Sequence, residues 1–486
     1  MKIALLPLDG RPANADLPVR LGRLVGVEVD TPPRELLGFR ERPADAAGLL
    51  DWTLRHAKVA DATILSLDLW VHGGLVPSQL EITPVEEVQR RFDGLAAVRE
   101  VTRGRPLLAY GLVPRLAPET LSDADAGELD ALERLLPLRD RLRAREDPAV
   151  RRELEALAAK VPPPRREAAE RVRLRNHAVN QAAIEMRKQG WFDGLFFFQD
   201  DAAPHGPHRN EQAELLRKAV DAGLGGGIPV APGGESAALL LLVRLLARGW
   251  NIEPILRIVY ADEADKGRTP PDADRTLEEG VRTGLALLGA REPAGDEEGV
   301  TVYVNPPGAG AGAAAPGRDA DPRVRWIKTS LEKGRAVVVA DLGRPGGADA
   351  AFLQALHFPV DLFALAGYAG GGASLDVLGG ALAQAAVADI GRRAGSLDAH
   401  ARGEFLSMRW LDDWFYRAEL RGAFEKERRG RNLPVADMGG DADATADRAT
   451  RVLQAMWGQR FPDRPFAFRA AFPWRRLQEI EIVPGA

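Results

Sequence analysis

The sequence predicts an α/β protein built on a mostly parallel sheet, and three observations carry that prediction. Short apolar runs recur along the chain, each closed by Gly, Pro or Asp and followed by a longer helix-compatible stretch, which is the rhythm of repeated β–α units. Several runs, among them Ile3-Ala4-Leu5-Leu6, Leu195-Phe196-Phe197-Phe198 and Val337-Val338-Val339, are apolar at successive positions, as strands buried on both faces require. Acids and bases sit immediately after those runs, at the carboxyl ends where parallel α/β folds place their ligands.

In chain order the expected strands are Lys2–Leu8, Val25–Asp30, Ala62–Leu67, Pro106–Leu112, Gly194–Phe198, Ile228–Ala231, Pro254–Tyr260, Val300–Asn305, Ala336–Ala340 and Asp361–Leu365. Between the fourth and fifth lies a charged segment, about 118–175, whose Leu129, Leu132, Leu135, Leu136 and Leu138 have helical spacing; it reads as a helical insertion broken at Pro162–Pro164. Its interspersed charges read as solvated helix faces. The stretches 306–322 and 430–444 are rich in Gly, Ala, Pro or Asp and read as loops. Past about residue 396 the β–α rhythm stops, and Phe405–Glu425 reads as a helix carrying Trp410, Trp414 and Tyr416. We therefore expect a β/α-barrel-like body over 1–395 and a C-terminal helical extension over 396–486 packed on it. The alternative is two Rossmann-like lobes divided near residue 265.

Composition narrows the function classes. The chain has 486 residues, 45% hydrophobic and 28% charged, which suffices for a large core. Its 65 Lys and Arg against 70 Asp and Glu leave a formal charge of −5, so no general basic field favours nucleic acid or an anionic membrane surface. The absence of cysteine excludes disulfides, thiolate metal sites and a cysteine nucleophile, and fits a reducing cytoplasm. The first apolar run is too short for a signal peptide, and the longest other run, Ala237–Val243, is far below a membrane span.

The candidate site follows from the strand ends. The first strand is followed by Asp9 and Arg11, the third by Asp68 and His72, the fourth by Arg115, the fifth by Asp200 and Asp201, the sixth by Glu235. Each has a structural alternative, as a helix cap or as half of an ion pair. Asp200-Asp201 is the sharpest feature. Two carboxyls in one pocket separate their pKa values and supply an acid and a base or polariser at neutral pH, unless Asp201 only caps the following turn. His205 and His208 come next, and Asp200, His205 and His72 form the alternative of a divalent metal site, although their spacing matches no standard motif. We expect no cofactor otherwise. The glycine-rich pieces Gly223–Gly227, Gly343–Gly347 and Gly370–Gly372 lack the lysine and hydroxyl of a phosphate loop, and no Gly-x-Ser-x-Gly elbow occurs.

These strand ends also resemble a known family. Ile3 to Pro12, Ser66-Leu67-Asp68 with His72-Gly73-Gly74-Leu75, Arg175-Asn176-His177-Ala178-Val179-Asn180, and Gln199 to Gly206 are similar to the bacterial family of domain of unknown function 4127. So are Asp412-Asp413-Trp414-Phe415-Tyr416 with Arg421, and Pro473-Trp474-Arg475-Arg476 with Glu479. The resemblance covers nearly the whole chain and implies that the C-terminal segment belongs to the same functional unit, but it implies no activity. Two positions depart from the family pattern: Gly234-Glu235 stands for Asp-Glu, and Gly367 to Gly372 for a Gly-Trp-Asn-Thr segment. A looser similarity is to O-GlcNAcase-type hexosaminidases, which implies that Asp200 polarises a substrate acetamide while Asp201 protonates the leaving group. The expected function is thus a hydrolase of a carbohydrate or related small polar substrate, with Asp9, Arg11, Asp68, His72, Arg115, His205 and Glu235 as binding residues. A metal-dependent hydrolase and a non-catalytic small-ligand binder are the alternatives.

Overall fold

A computed structural model describes residues 1–81, 83–200, 203–308, 321–344 and 346–485. Twelve strands occur among them: β1 (Lys2–Leu6), β2 (Glu28–Asp30), β3 (Ala62–Ser66), β4 (Leu107–Val113), β5 (Gly194–Gln199), β6 (Val230–Pro232), β7 (Leu256–Tyr260), β8 (Val300–Asn305), β9 (Val337–Asp341), β10 (Gly367–Ala369), β11 (Phe468–Ala471) and β12 (Glu481–Pro484). The chain divides into two compact units, one made of 1–19, 27–241 and 271–275, the other of 20–26, 242–270 and 276–486.

The first unit carries a six-stranded sheet in the order β2-β1-β3-β4-β5-β6, every pair parallel. All seven residues of β4 and all five of β3 are buried, so their unbroken apolar runs face helices on both sides. The core beneath includes Leu6, Trp52, Leu65, Val98, Ile184, Phe192 and Phe197. The insertion folds as helices Ala126–Ala144, Pro148–Ala158 and Pro163–Lys188, with the Pro run supplying the first turn of the last. Its Leu132, Leu135, Leu136 and Leu138 bury a satellite core of their own with Leu157 and Val161.

The second unit carries the parallel sheet β10-β9-β8-β7 and the antiparallel hairpin β11–β12. The helix Ser374–Ala394, buried over most of its length, lies against this sheet. A larger aromatic core gathers Tyr368, Trp410, Trp414, Phe415, Trp457 and Phe461.

The α/β class and the parallel strands are as expected, but the barrel-like closure is not: the described strands form open sheets. A β–α rhythm is common to barrels and open sheets, and closure depends on whether the first and last strands pair, which no local pattern encodes. The tenth strand is also displaced. Asp361 caps a 3-10 turn, Leu362–Ala364, by accepting from the Phe363 N–H at 3.0 Å, and the strand begins only at Gly367. The hairpin was missed because its four-residue strands are separated by a proline-containing loop.

One helix fixes the end of β4. Asn180, on Pro163–Lys188, donates to the Leu112 carbonyl at 2.8 Å, and a Cβ on Gly111 would lie 2.6 Å from Asn180 Oδ1, so only glycine admits this approach. Asn180→Leu should leave that buried carbonyl without its donor and cost about 1–3 kcal/mol. The urea midpoint, compared with wild type at constant slope, measures it.

Candidate functional site

The carboxyl edge of the six-stranded sheet is organised around the last two residues of β4. The Leu112 N–H donates to Asp68 Oδ2 at 2.9 Å, its carbonyl takes Asn180, and the Val113 carbonyl takes the Asp200 N–H at 3.3 Å. Asp68, from the loop after β3, and Asp200, from the loop after β5, are thus hung on neighbouring peptides of the strand between them. Gly234, after β6, closes on the same point: a Cβ there would sit 3.2 Å from Leu112 Cδ2 and 3.5 Å from Asp200 Oδ1.

The loop after β1 reaches this point from farther away. On a flat sheet β1 and β6 stand four strand spacings apart, roughly 19 Å. Yet Arg11 Nη1 meets Glu235 Oε1 at 2.5 Å, while its Nε holds Asp9 Oδ2 at 3.0 Å. The turn Pro7–Arg11 covers the distance by crossing toward β4, where the Tyr110 hydroxyl lies against the Leu8 backbone and Ser66. Asp9 shapes the turn by accepting from the Arg11 N–H and from Asn14 Nδ2, both at 2.9 Å, an Asx turn with its carboxylate turned inward. Asp9 and Arg11 are buried; the Glu235 side chain is 35% exposed and is the open end of the chain of charges.

Asp68 opens a π-helical turn, Asp68–His72, of the kind that recurs at functional sites. The turn is ended by Gly73 at φ 90° and Gly74 at φ 126°, and a Cβ on Gly73 would run into Pro43 and Ala44. Burial raises the Asp68 carboxyl to about 7, against the opposing pull of the Leu112 N–H, Arg175 and Ser78. His72 is buried as well, and neither ring nitrogen has a hydrogen-bond partner among the described residues. Desolvation first, then Arg175 and Arg91, hold its pKa well below the usual histidine range, so it is a neutral imidazole.

The other expected residues are placed differently. Arg115 pairs with its neighbour Glu119 at 2.9 Å. His205 is exposed, whereas Asp200 and His72 are buried, and among the described residues no group of three His, Asp or Glu is placed to hold a metal ion. His208 is the buried member of its segment; its Nε2 meets the Ala203 carbonyl at 2.9 Å and burial lowers its pKa to about 4. Asp201 lies outside the described residues.

A family model described as a protein of unknown function, DUF4127, matches residues 3–483. The chain belongs to the DUF4127 family. No curated protein and no solved structure matches it. The geometry gives the motifs of this DUF4127 chain distinct tasks. In Arg175 to Asn180, Arg175 and Asn176 grip the Ser78 carbonyl at 2.6 and 2.8 Å behind the π-turn, and Asn180 grips β4. Asp412 to Tyr416 lies in a second π-helix, Trp410–Leu420, within the other unit. There Asp413 accepts from the Gly370 N–H at 3.0 Å and pairs with Arg409, and Tyr416 donates to the Leu477 carbonyl at 2.5 Å. The departure at Gly367 to Gly372 fits this packing: a Cβ on Gly370 would strike the Tyr368 hydroxyl, and one on Gly371 would strike Asp413 and Arg417. Tyr110 carries no signal of a role, because it lies inside an apolar strand, and Asn176 and Asn180 stand out in the sequence only through the family resemblance.

The raised Asp68 carboxyl sets a pH dependence. Its folded pKa lies above its unfolded value, so the native state holds the proton longer and stability falls as pH rises from about 4 to about 7, then levels off. Burial raises Asp413 in the same direction. Asp68→Asn keeps an acceptor for the Leu112 N–H and removes one ionisation. Its thermal midpoint should fall less than that of wild type between pH 5 and pH 8; equal losses would place the Asp68 pKa back in the ordinary range.

Proposed function

We propose that this chain is a hydrolase acting on a carbohydrate or a related small polar substrate at the carboxyl edge of its six-stranded sheet. The observation that carries the reading is the meeting of Asp68, Asp200 and the Asp9–Arg11–Glu235 chain around the end of β4. Strand ends that bring several carboxyls and one guanidinium together suit hydroxyl-rich substrates, whose hydroxyls donate to carboxylates and accept from a guanidinium. Glu235 meets the substrate from the open side with Arg11 buried behind it, and His72 has hydrogen-bonding capacity that no group among the described residues uses. Asp200 and Asp201 carry the proton work, one orienting or polarising and the other acting as acid. Asp68, with a carboxyl near 7, is a further group able to hold or release a proton at neutral pH. The charge balance speaks for a small-molecule ligand rather than nucleic acid, and the cysteine-free composition for a cytoplasmic setting. Among the described residues no helix is long and apolar enough to cross a membrane.

A non-catalytic binder of the same ligand class is the second reading, favoured by Gly234, which sets no carboxylate beside Asp200 from the loop after β6.

Release of a chromogenic leaving group from a panel of aryl glycosides, N-acetylhexosaminides included, tests the proposal. Wild type should turn over at least one of them, and Asp200→Asn and Asp201→Asn should each lose about a hundredfold or more in kcat. Full activity in both variants would remove the pair from the mechanism. Thermal stabilisation by a sugar without turnover would establish the binder instead.

A further inference from the structure

The carbonyl of Asp200 is held by a hydrogen-bond chain to which none of the expected site residues contributes a side chain. Gln199 Nε2 donates to that carbonyl at 2.7 Å and to the Val113 carbonyl at 3.3 Å. Gln199 Oε1 accepts from Gln212 Nε2 at 2.8 Å, and the same Gln212 nitrogen donates to Asp274 Oδ2 at 2.8 Å. Arg209 donates to both Gln212 Oε1 and Asp274 Oδ2 at 3.0 Å, and Arg275 Nε reaches Asp274 Oδ1 at 2.8 Å. Gln199, Gln212 and Asp274 are all buried.

This chain has one direction. A carboxylate only accepts, so the Gln212 amide must turn its NH2 toward Asp274; its second hydrogen then meets a carbonyl, which turns the Gln199 oxygen toward Gln212. The Gln199 NH2 is left facing three backbone carbonyls, those of Asp200, Val113 and, at 3.4 Å, Pro114, which also only accept. Reversing either amide would set like groups against each other in a buried place, at the cost of unsatisfied polar atoms. Burial works against the Asp274 carboxylate, but Arg275, Gln212 and Arg209 hold its pKa down to about 2, so the direction persists at all ordinary pH values.

We propose that Asp274 is a positioning residue of the site: through Gln212 and Gln199 it sets the orientation of the Asp200 carbonyl. The segment 271–275 belongs to the first unit although the chain on both sides of it belongs to the second, so these five residues leave their neighbours to supply this anchor. The geometric part of the proposal stands on the hydrogen bonds alone; its kinetic part rests on the proposed acid–base role of Asp200 and Asp201.

Gln212→Glu is the decisive variant, since it keeps the shape and the pairing with Arg209 but sets an acceptor against Asp274 and Gln199. Asp274→Asn is the second, for the case that Gln212→Glu does not fold. In the full-length chain, hydrogen exchange read by mass spectrometry should accelerate about tenfold in peptides covering residues 195–206 and stay unchanged in those covering Val300–Asn305. On a glycoside that wild type turns over, kcat should fall about tenfold with KM held within about twofold, a split that a merely structural role would not produce. Unchanged exchange in a folded variant overturns the chain of orientation itself. Faster exchange with kcat intact overturns the positioning role. If wild type hydrolyses no glycoside, the functional reading fails, and the exchange measurement still decides whether Asp274 orients the Asp200 peptide.

Discussion

The buried guanidinium of Arg11 is the constraint on which the site depends, because it joins the loop after β1 to the loop after β6, four strands away in the sheet. Removing the Arg11 guanidinium and the Asp9 carboxylate from water is expensive, and such a chain of charges adds little net stability compared with apolar packing. What it supplies is uniqueness of geometry. A guanidinium with Asp9 on one side and Glu235 on the other has few ways to satisfy its donors, and each requires the turn Pro7–Arg11 to cross the sheet ends in one manner. The exposure gradient along it, from buried Asp9 to half-open Glu235, points the polar end of the chain at solvent.

The second organising element is backbone. β4 ends at Leu112 and Val113, whose peptide groups serve Asp68, Asn180 and Asp200 in turn, so two loops and one helix are fastened to one rigid strand buried on both faces. That is why the π-turn after β3 can carry a buried aspartate and a buried, neutral histidine. The grip of Arg175 and Asn176 on the Ser78 carbonyl holds the turn from behind, and two consecutive glycines with positive φ let the chain leave it without steric strain.

How much of this was legible in the sequence differs by the range of the interaction. Nine of the ten expected strands lie where their apolar runs lie, because burial on both faces writes itself locally as an unbroken run. Asp9, Arg11, Asp68, Asp200 and Glu235 were legible for the same reason: each follows a run directly. Tertiary choices were not. Whether the sheet closes, whether Arg115 turns to the common centre or to Glu119, and whether His205 or His208 is the buried one all depend on partners outside the local pattern. Asp274 is the extreme case, since it stands in a polar loop 62 residues from Gln212 and no periodicity marks it.

Two buried aspartates show how the same shift arises from different circumstances and argues for different roles. Asp341, at the end of β9, is raised by burial, as Asp68 is, yet its oxygens accept from Asn305 at 2.8 Å, from the Gly343 N–H at 3.1 Å, from the Asp349 N–H at 2.8 Å and from the Tyr368 hydroxyl at 2.8 Å. A carboxylate has about four acceptor positions, so the protein uses Asp341 completely. It fastens three strand ends of the second unit and has nothing left to offer a ligand. Asp68 accepts the Leu112 N–H at 2.9 Å, with its own N–H and the Ser78 hydroxyl as further donors and Arg175 nearby, but it shares its turn with an imidazole that has no partner among the described residues. A raised carboxyl argues for a ligand only where hydrogen-bonding capacity remains unspent beside it, and of these two strand ends the one that keeps such capacity among the described residues, through His72, is the end of β4.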